Sequence, residues 1–147
     1  MEKLRQYAWV LPIACAGAAV GIYYLVKGAR PPVPKPRPPR PEVATIVIES
    51  RAVNDPWYRY HGLAVDKDLP PAWWKDERYI IGCSRGYFEY KRRIRLTPGR
   101  HKIVYSVSAS GSYYWEATIR IPELGISKTF PRVQRYTHTY AVLEFEV

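Results

Sequence analysis

The side chains that most often perform chemistry in proteins are far apart in this sequence. The three histidines, His61, His101 and His138, are separated by 40 and 37 residues and lie outside any HxH or HExxH pattern. A metal ion needs several ligands that converge on one point, and this spacing supplies no such group. We therefore expect no metal site and interpret the histidines as surface or hairpin residues.

Cysteine and carboxylate chemistry is equally unsupported by the spacing. Cys83 follows Gly82 without a nucleophile signature, so we expect a small buried hydrophobe, and Cys15 is too isolated from it to suggest a disulfide framework. Four acids in one stretch could pair as acid and base or bind Ca²⁺, but no DxDxDG pattern accompanies them: Asp66, Asp68, Asp76 and Glu77. The sequence also lacks GxSxG, P-loop and GxGxxG motifs. We expect no enzyme activity and no cofactor.

Aromatic residues framed by proline are the stronger signal. The stretches PWYRY (56–60) and PPAWWK (70–75) place large rings beside prolines and cations. Rigid exposed rings of this kind form contact platforms for a sugar or a protein neighbour. The sequence predicts a binding platform for an envelope, capsid or glycan partner, formed by Trp57, Tyr58, Tyr60, Trp73 and Trp74. The alternative is that these rings fold back and cover an open edge of their own domain.

A basic stretch, KRRIR (91–95), raises the question of nucleic acid. Strand alternation puts Lys91, Arg93 and Arg95 in one solvated row beside Glu89, while Phe88 and Tyr90 lie on the other face. No combined basic and aromatic face results, so the pattern argues against a nucleic-acid partner. A charged outer face that discourages edge aggregation fits better.

A long apolar segment precedes these elements. Residues 7–26 contain no charge, and about 20 apolar residues are needed to cross a bilayer as a helix. Aromatic and cationic side chains flank this segment as membrane-interface anchors do: Tyr7, Trp9, Tyr23, Tyr24, Lys27 and Arg30. A cleaved signal is the rival interpretation, but the apolar run continues eleven residues past Cys15, so we predict an uncleaved single-pass anchor in a lipid bilayer.

Small residues form a stripe along one face of this predicted helix. Gly17 and Gly21 make a GxxxG motif, which Ala14 and Ala18 extend. Small side chains let helix backbones approach closely in lipid. The stripe predicts helix packing and a homo-oligomer.

Seven prolines occupy the eleven positions 31–41, between the apolar segment and the rest of the chain. Proline lacks an N–H group and fixes φ, so helix and sheet are both excluded. At ~3.1 Å per residue, the basic linker of residues 27–42 contains a polyproline II spacer of roughly 34 Å. A basic ligand for an aromatic-lined groove is the weaker interpretation.

Residues 43–147 alternate as β-strands do, and they predict an antiparallel, immunoglobulin-like β-sandwich of six or seven strands. The expected strands are Val43–Glu49, Arg78–Cys83, Gly86–Leu96, His101–Ala109, Tyr113–Ile121 and Thr137–Val147. We expect Ile103, Tyr105 and Val107 to point inward. Tyr113, Trp115, Ala117, Ile119 and Ile121 should likewise share one face of their strand. The stretch TPGR (97–100) predicts a turn, because proline fixes φ and glycine allows a positive φ.

Part of this domain resembles a known family. The stretch LTPGRHKI (96–103), followed by SASGSYYWEATIRI (108–121), resembles the last hairpin of PEGA-type immunoglobulin-like surface domains. The resemblance implies a non-catalytic, surface-displayed sandwich and carries over no functional residue. The sequence departs from the pattern in lacking a Pro-Glu-Gly-Ala run and in continuing for 26 residues beyond Ile121.

The net charge of +10 divides equally between the two parts of the chain. Residues 1–42 carry seven cations and two acids, and residues 43–147 carry sixteen and eleven, so each part is +5. More cations follow the apolar segment than precede it, so the positive-inside rule places the domain in the cytoplasm. The combination of an anchor, a stiff proline-rich spacer and a β-sandwich instead favours an outward-facing domain.

Three functional hypotheses follow from these features. The first is a non-enzymatic, membrane-anchored structural or adhesive surface protein that self-associates. The second is a filament, pilus-like or virion subunit whose apolar helices bundle together. The third is a carbohydrate-binding or envelope-binding module.

Overall fold

Alternation of apolar and polar residues builds the strands of this domain. The computed structural model describes residues 42–135 and 139–147, and these form eight strands and two short 3₁₀ segments, Trp73–Lys75 and Pro122–Leu124. The strands are β1 (Val43–Val53), β2 (Arg59–Val65), β3 (Ile80–Ser84), β4 (Tyr87–Arg95), β5 (Arg100–Val107), β6 (Tyr114–Ile121), β7 (Ile126–Val133) and β8 (Ala141–Glu146). The expected count of six or seven was therefore too low.

Two antiparallel sheets face each other, which confirms the predicted β-sandwich. The first sheet has the strand order β4-β1-β6-β7, and the second has the order β3-β2-β5-β8. Only the β2/β3 and β6/β7 pairs are neighbours both along the chain and within a sheet. The hairpin expected over residues 96–121 is wrong, because β5 and β6 lie in opposite sheets and the segment between them crosses the sandwich.

The core lies between the two sheets. It includes the inward rows expected for β5 and β6, together with residues of other strands, and Ile46, Ile48, Ile103, Tyr105 and Trp115 are each fully buried. The opposite row of β4 is exposed as expected: Glu89, Lys91, Arg93 and Arg95. Burial of a large apolar side chain contributes about 1.5–3 kcal/mol, so this double row is the main source of stability.

Strands β2 and β7 were not predicted from the sequence, because neither has a regular alternation of apolar and polar residues. In β2 the inward row begins with the polar His61, and Gly62 follows it, where a β-bulge shifts the pairing with β3. In β7 only Val133 is buried, and Pro131 lies within the strand. Proline is tolerated there because β7 is an edge strand of the first sheet.

A second, smaller apolar cluster covers the outer face of the second sheet. The irregular stretch 66–79 folds back over this face and buries Leu69 and Trp73 against Ala64 and Val104. Gly62 makes this possible, since a Cβ at that position would meet the Trp73 ring at 2.4 Å. Trp73 therefore folds back onto its own domain, as the alternative interpretation has it, but it covers the outer face of the second sheet and not an open edge.

The sandwich has two distinct ends. At the terminal end, Leu96 donates its backbone N–H to the Glu42 carbonyl at 2.9 Å, and Gly99 and Val147 exchange backbone hydrogen bonds. At the opposite end, which we call the distal end, β1 finishes, β2 begins and the short β3–β4 turn lies. The described chain therefore begins and finishes at the same end of the domain.

Several predicted features lie outside the described residues. They include the apolar segment 7–26, the proline-rich stretch 31–41, His138, the packing stripe and the interface anchors. Among the residues that the structure does describe, no helix has the length and apolar character needed to span a membrane.

Candidate binding surface

Three chain segments meet at the distal end. They are residues 54–60, which run from the end of β1 into β2, residues 84–87, which include the β3–β4 turn and the residue on each side of it, and residues 108–114, which run from the end of β5 to the first residue of β6. Tyr60 and Ser108 connect two of them, with the Tyr60 N–H donating to Ser108 Oγ at 2.9 Å and the Ser108 N–H donating to the Tyr60 carbonyl at 3.0 Å. The remaining segment, residues 84–87, is joined to the end of β1 by a hydrogen bond from the Ala52 N–H to the Gly86 carbonyl at 2.9 Å. We call these segments together the distal aromatic surface.

The buried side chain of Asp55 fixes the conformation of the first segment, residues 54–60, through hydrogen bonds. Its buried carboxylate accepts hydrogen bonds from Arg59 Nε at 2.8 Å, from the Trp57 backbone N–H and from Trp115 Nε1, both at 3.2 Å. Burial would raise the pKa of Asp55, but these donors outweigh it and lower the pKa below its ordinary value. Asn54 begins the loop in the left-handed region, with φ of 57°, which asparagine tolerates better than most residues.

The rings above this carboxylate are exposed. The exposed fraction is 63% for Trp57, 70% for Tyr58, 47% for Tyr60 and 45% for Tyr87. Large aromatic side chains usually bury most of their surface, so four exposed rings at one end of a domain make this end the candidate contact surface. Three of the five predicted platform residues are part of it.

Arginines lie among these rings. The Arg51 guanidinium lies 5.8 Å from the centre of the Tyr87 ring, and the Arg132 guanidinium lies 5.4 Å from that of Tyr114. Arg85 is exposed in the turn between β3 and β4. Cations over aromatic faces stabilise the exposed rings and give the distal end a positive character.

The prediction that Trp73 belongs to an exposed platform is wrong. Trp73 is fully buried over Gly62, and Trp74 is half-buried with the Arg135 guanidinium over its ring. Trp74 nevertheless reaches the neighbourhood of Tyr60, because both line an open depression of about 500 Å³. The second aromatic cluster therefore contributes one ring to the margin of the surface.

His61 and His101 are buried, which corrects the interpretation of these two histidines as surface or hairpin residues. His61 is fully buried between the sheets and stacks on Phe88 with ring centres 3.8 Å apart. Its Nδ1 lies 2.7 Å from the Tyr105 hydroxyl and its Nε2 lies 2.9 Å from Ser84 Oγ. Burial lowers the pKa of His61 to about 3, so this imidazole is neutral and too weak a base to activate Ser84 at neutral pH. Burial likewise raises the pKa of the Tyr105 hydroxyl above its usual range.

His101 lies at the terminal end beside a cavity of about 450 Å³. Its Nε2 faces the Thr97 carbonyl at 2.8 Å, and its Nδ1 faces Asp66. The hydrogen bond to Thr97 raises its pKa, and Asp66 adds to the shift against the opposing effect of burial. Charged side chains surround this cavity: Asp66, Arg100, Lys102, Glu144 and Glu146.

Cys83 is exposed, so its predicted burial is also wrong. It lies on the edge strand β3 between Gly82, over which the Phe88 ring packs, and Ser84, which faces His61. Alternation along the strand therefore turns the thiol outward. In residues 42–135 and 139–147, no three His, Cys, Asp or Glu side chains gather as a metal site requires.

Comparison with protein-family models, with curated proteins and with solved structures finds no significant match for this chain.

Proposed function

We propose that this protein is a non-enzymatic, single-pass membrane-anchored β-sandwich that acts as a structural or adhesive surface subunit. The observation that carries the proposal is the position of the distal aromatic surface. It lies at the opposite end of the sandwich from Glu42, the residue to which the proline-rich linker is joined. An anchor followed by a stiff spacer would then present the exposed rings away from the bilayer.

We also propose that the domain is immunoglobulin-like in the coarse sense. Two facing sheets with binding loops at one end are the common feature. The strand order differs from the immunoglobulin constant type, in which strands A, B, E and D form one sheet and C, F and G the other. The proposed likeness is therefore limited to the two facing sheets and the position of the loops, and it does not extend to the strand order.

Membrane anchoring is tested by charge substitutions in the apolar segment. Two arginines near the centre of a membrane helix cost about 2.5–3.5 kcal/mol each. Ala18→Arg with Val20→Arg should release the full chain from carbonate-washed membranes, whereas Ala29→Arg with Val33→Arg, the same substitutions outside the segment, should leave it bound. Equal behaviour of both double variants would refute the anchor.

Orientation is tested through the exposed thiol of Cys83. A membrane-impermeant maleimide added to intact cells should label the wild type, and Cys83→Ser, which keeps Cys15, should abolish the label. Labelling that requires lysis would place the domain in the cytoplasm, as the literal charge count does.

Self-association is tested in detergent. We expect a small oligomer in micelles that dissociates when Gly17→Ile and Gly21→Ile remove the close approach of the helices. A detergent-resistant polymer would instead support the filament or virion subunit.

A further inference from the structure

The distal aromatic surface has the composition of a protein-recognition surface. Its segments 54–60, 84–87 and 108–114 contain five tyrosines, four serines, two glycines, two arginines and one tryptophan, with no lysine and no glutamate. Tyrosine, serine and glycine, with tryptophan and arginine as anchors, is the composition of antibody binding loops. Lysine and glutamate are the residues that protein interfaces avoid.

The surface is organised before any partner arrives. The buried Asp55 carboxylate fixes the loop that carries Trp57, and the paired hydrogen bonds of Tyr60 and Ser108 hold two segments together. Loops that are already ordered lose little conformational freedom on binding. Tyrosine and tryptophan add contact area at low entropic cost for the same reason.

The charges of the surface favour an anionic partner. Asp55 is the one carboxylate in the three segments, and it is buried and paired with Arg59. Arg85 is exposed between the segments, and Arg51 and Arg132 lie over rings at their margin. Carboxylates also border this surface: Glu116 lies opposite Arg51 on the neighbouring strand, and Glu89, which pairs with Lys91, accepts a hydrogen bond from the Tyr87 hydroxyl.

The same segments fit a lipid surface less well. Membrane-inserting elements combine their cations with several tryptophan, phenylalanine or leucine side chains, and Trp57 is the one such residue in the three segments. The three segments contain no leucine, isoleucine, valine or phenylalanine. Polar hydroxyls, from tyrosine and serine, dominate instead and suit the hydrogen-bonding groups of a polypeptide.

We infer that the distal aromatic surface binds an acidic polypeptide surface on another protein. Trp57 and Tyr58 are its apolar anchors, and Arg85 and Arg51 meet the partner's carboxylates. The inference rests on the proposed function, because it takes the distal end as the contact end.

Defined polypeptides test this inference. The probes are a random copolymer of L-glutamate and L-tyrosine and its lysine and tyrosine counterpart, together with phosphatidylcholine vesicles containing phosphatidylglycerol. The full chain is held in nanodiscs of phosphatidylcholine, and Lys27→Gln, Arg30→Gln, Lys35→Gln, Arg37→Gln and Arg40→Gln remove the linker cations from every protein compared. Under these conditions the domain supplies the charge that attracts the probe.

We expect the glutamate copolymer to bind and the lysine copolymer not to bind. Trp57→Ala with Tyr58→Ala should weaken binding by about tenfold or more, as loss of aromatic anchors does. Arg85→Ala should weaken it by about threefold, whereas Arg93→Ala, an equal charge loss on the face of the first sheet, should have a smaller effect. Retained cooperative unfolding with unchanged midpoints would show that the variants are folded.

Three results would overturn the inference. The first is equal binding of both copolymers, or none. The second is equal weakening by Arg85→Ala and Arg93→Ala, or an unchanged affinity in the aromatic double variant. The third is stronger binding to the anionic vesicles through the same residues, which would identify a lipid surface. None of these results releases the chain from membranes, so failure of the inference is distinguishable from failure of the anchor.

Discussion

The Nδ1 atom of His101 lies 3.0 Å from Oδ2 of Asp66, which joins the start of β5 to the residue that follows β2. The other ring nitrogen faces the Thr97 carbonyl. Both neighbours are hydrogen-bond acceptors, so the ring satisfies them fully only when both nitrogens carry protons. The geometry thus favours the imidazolium form at the terminal end of the sandwich.

This contact predicts a loss of stability as the pH rises. Because the folded-state pKa of His101 is raised above its ordinary 6.5, the contact contributes fully below about pH 6.5 for as long as Asp66 remains ionised, and its contribution disappears as the pH rises through the folded value. We expect His101→Gln to cost about 1 kcal/mol at low pH and less at high pH. Urea unfolding of the wild type and the variant across this range measures the difference, and a pH-independent difference would contradict the prediction.

His61 should show the opposite dependence. Its folded-state pKa is lowered to about 3, so the unfolded chain binds the proton more tightly and stability falls as the pH drops from about 6.5 towards 3. The slope of this single group reaches about 1.4 kcal/mol per pH unit. His61→Gln should remove that slope, and NMR should show that the His61 ring stays neutral at pH 5. A normal titration near pH 6.5 would sink the prediction.

Strands with regular apolar and polar alternation were predicted from the sequence, whereas a strand with a polar residue in its inward row was missed. The inward rows of β5 and β6 were evident because apolar and polar residues alternate without interruption. Strand β2 was hidden because its inward position is taken by His61, whose hydrogen-bond partners Tyr105 and Ser84 come from distant strands. A buried polar residue is recognisable only once its partners are known.

The candidate surface was predictable in part for a similar reason. Proline-framed rings in residues 56–60 predicted exposed aromatics, and Trp57, Tyr58 and Tyr60 are exposed. Trp73 has the same local signature, but its fate depends on Gly62, which leaves room for a ring on the outer face of β2. The sequence did not predict that Tyr87 and Arg85 belong to this surface, since only the pairing of β4 with β1 brings them to the distal end.

Asp55 should be the most sensitive acid in the described part of the domain. Asp55→Ala leaves Arg59 and the Trp115 indole without their acceptor in a buried site, and breaking a buried pair costs about 3–5 kcal/mol. Asp76→Ala is the matched control, because it removes a carboxylate from an exposed arginine, Arg78, and should change the unfolding midpoint little. Equal effects of the two substitutions on urea unfolding would contradict the role assigned to Asp55.

Gly62 should be irreplaceable only while Trp73 covers it. A Cβ at Gly62 would lie 2.4 Å from one ring carbon of Trp73 and 2.6 Å from the next, which forces the ring away from the sheet. Overpacking of this kind costs about 1–3 kcal/mol, so Gly62→Ala should destabilise the wild type by that amount. In a Trp73→Leu background the smaller side chain leaves space, and the same substitution should cost at least about 1 kcal/mol less. Urea unfolding of the four proteins gives this coupling energy directly. A cost that is identical in the two backgrounds would mean that the strain arises from the strand itself, at the β-bulge beside His61, rather than from the ring that covers it.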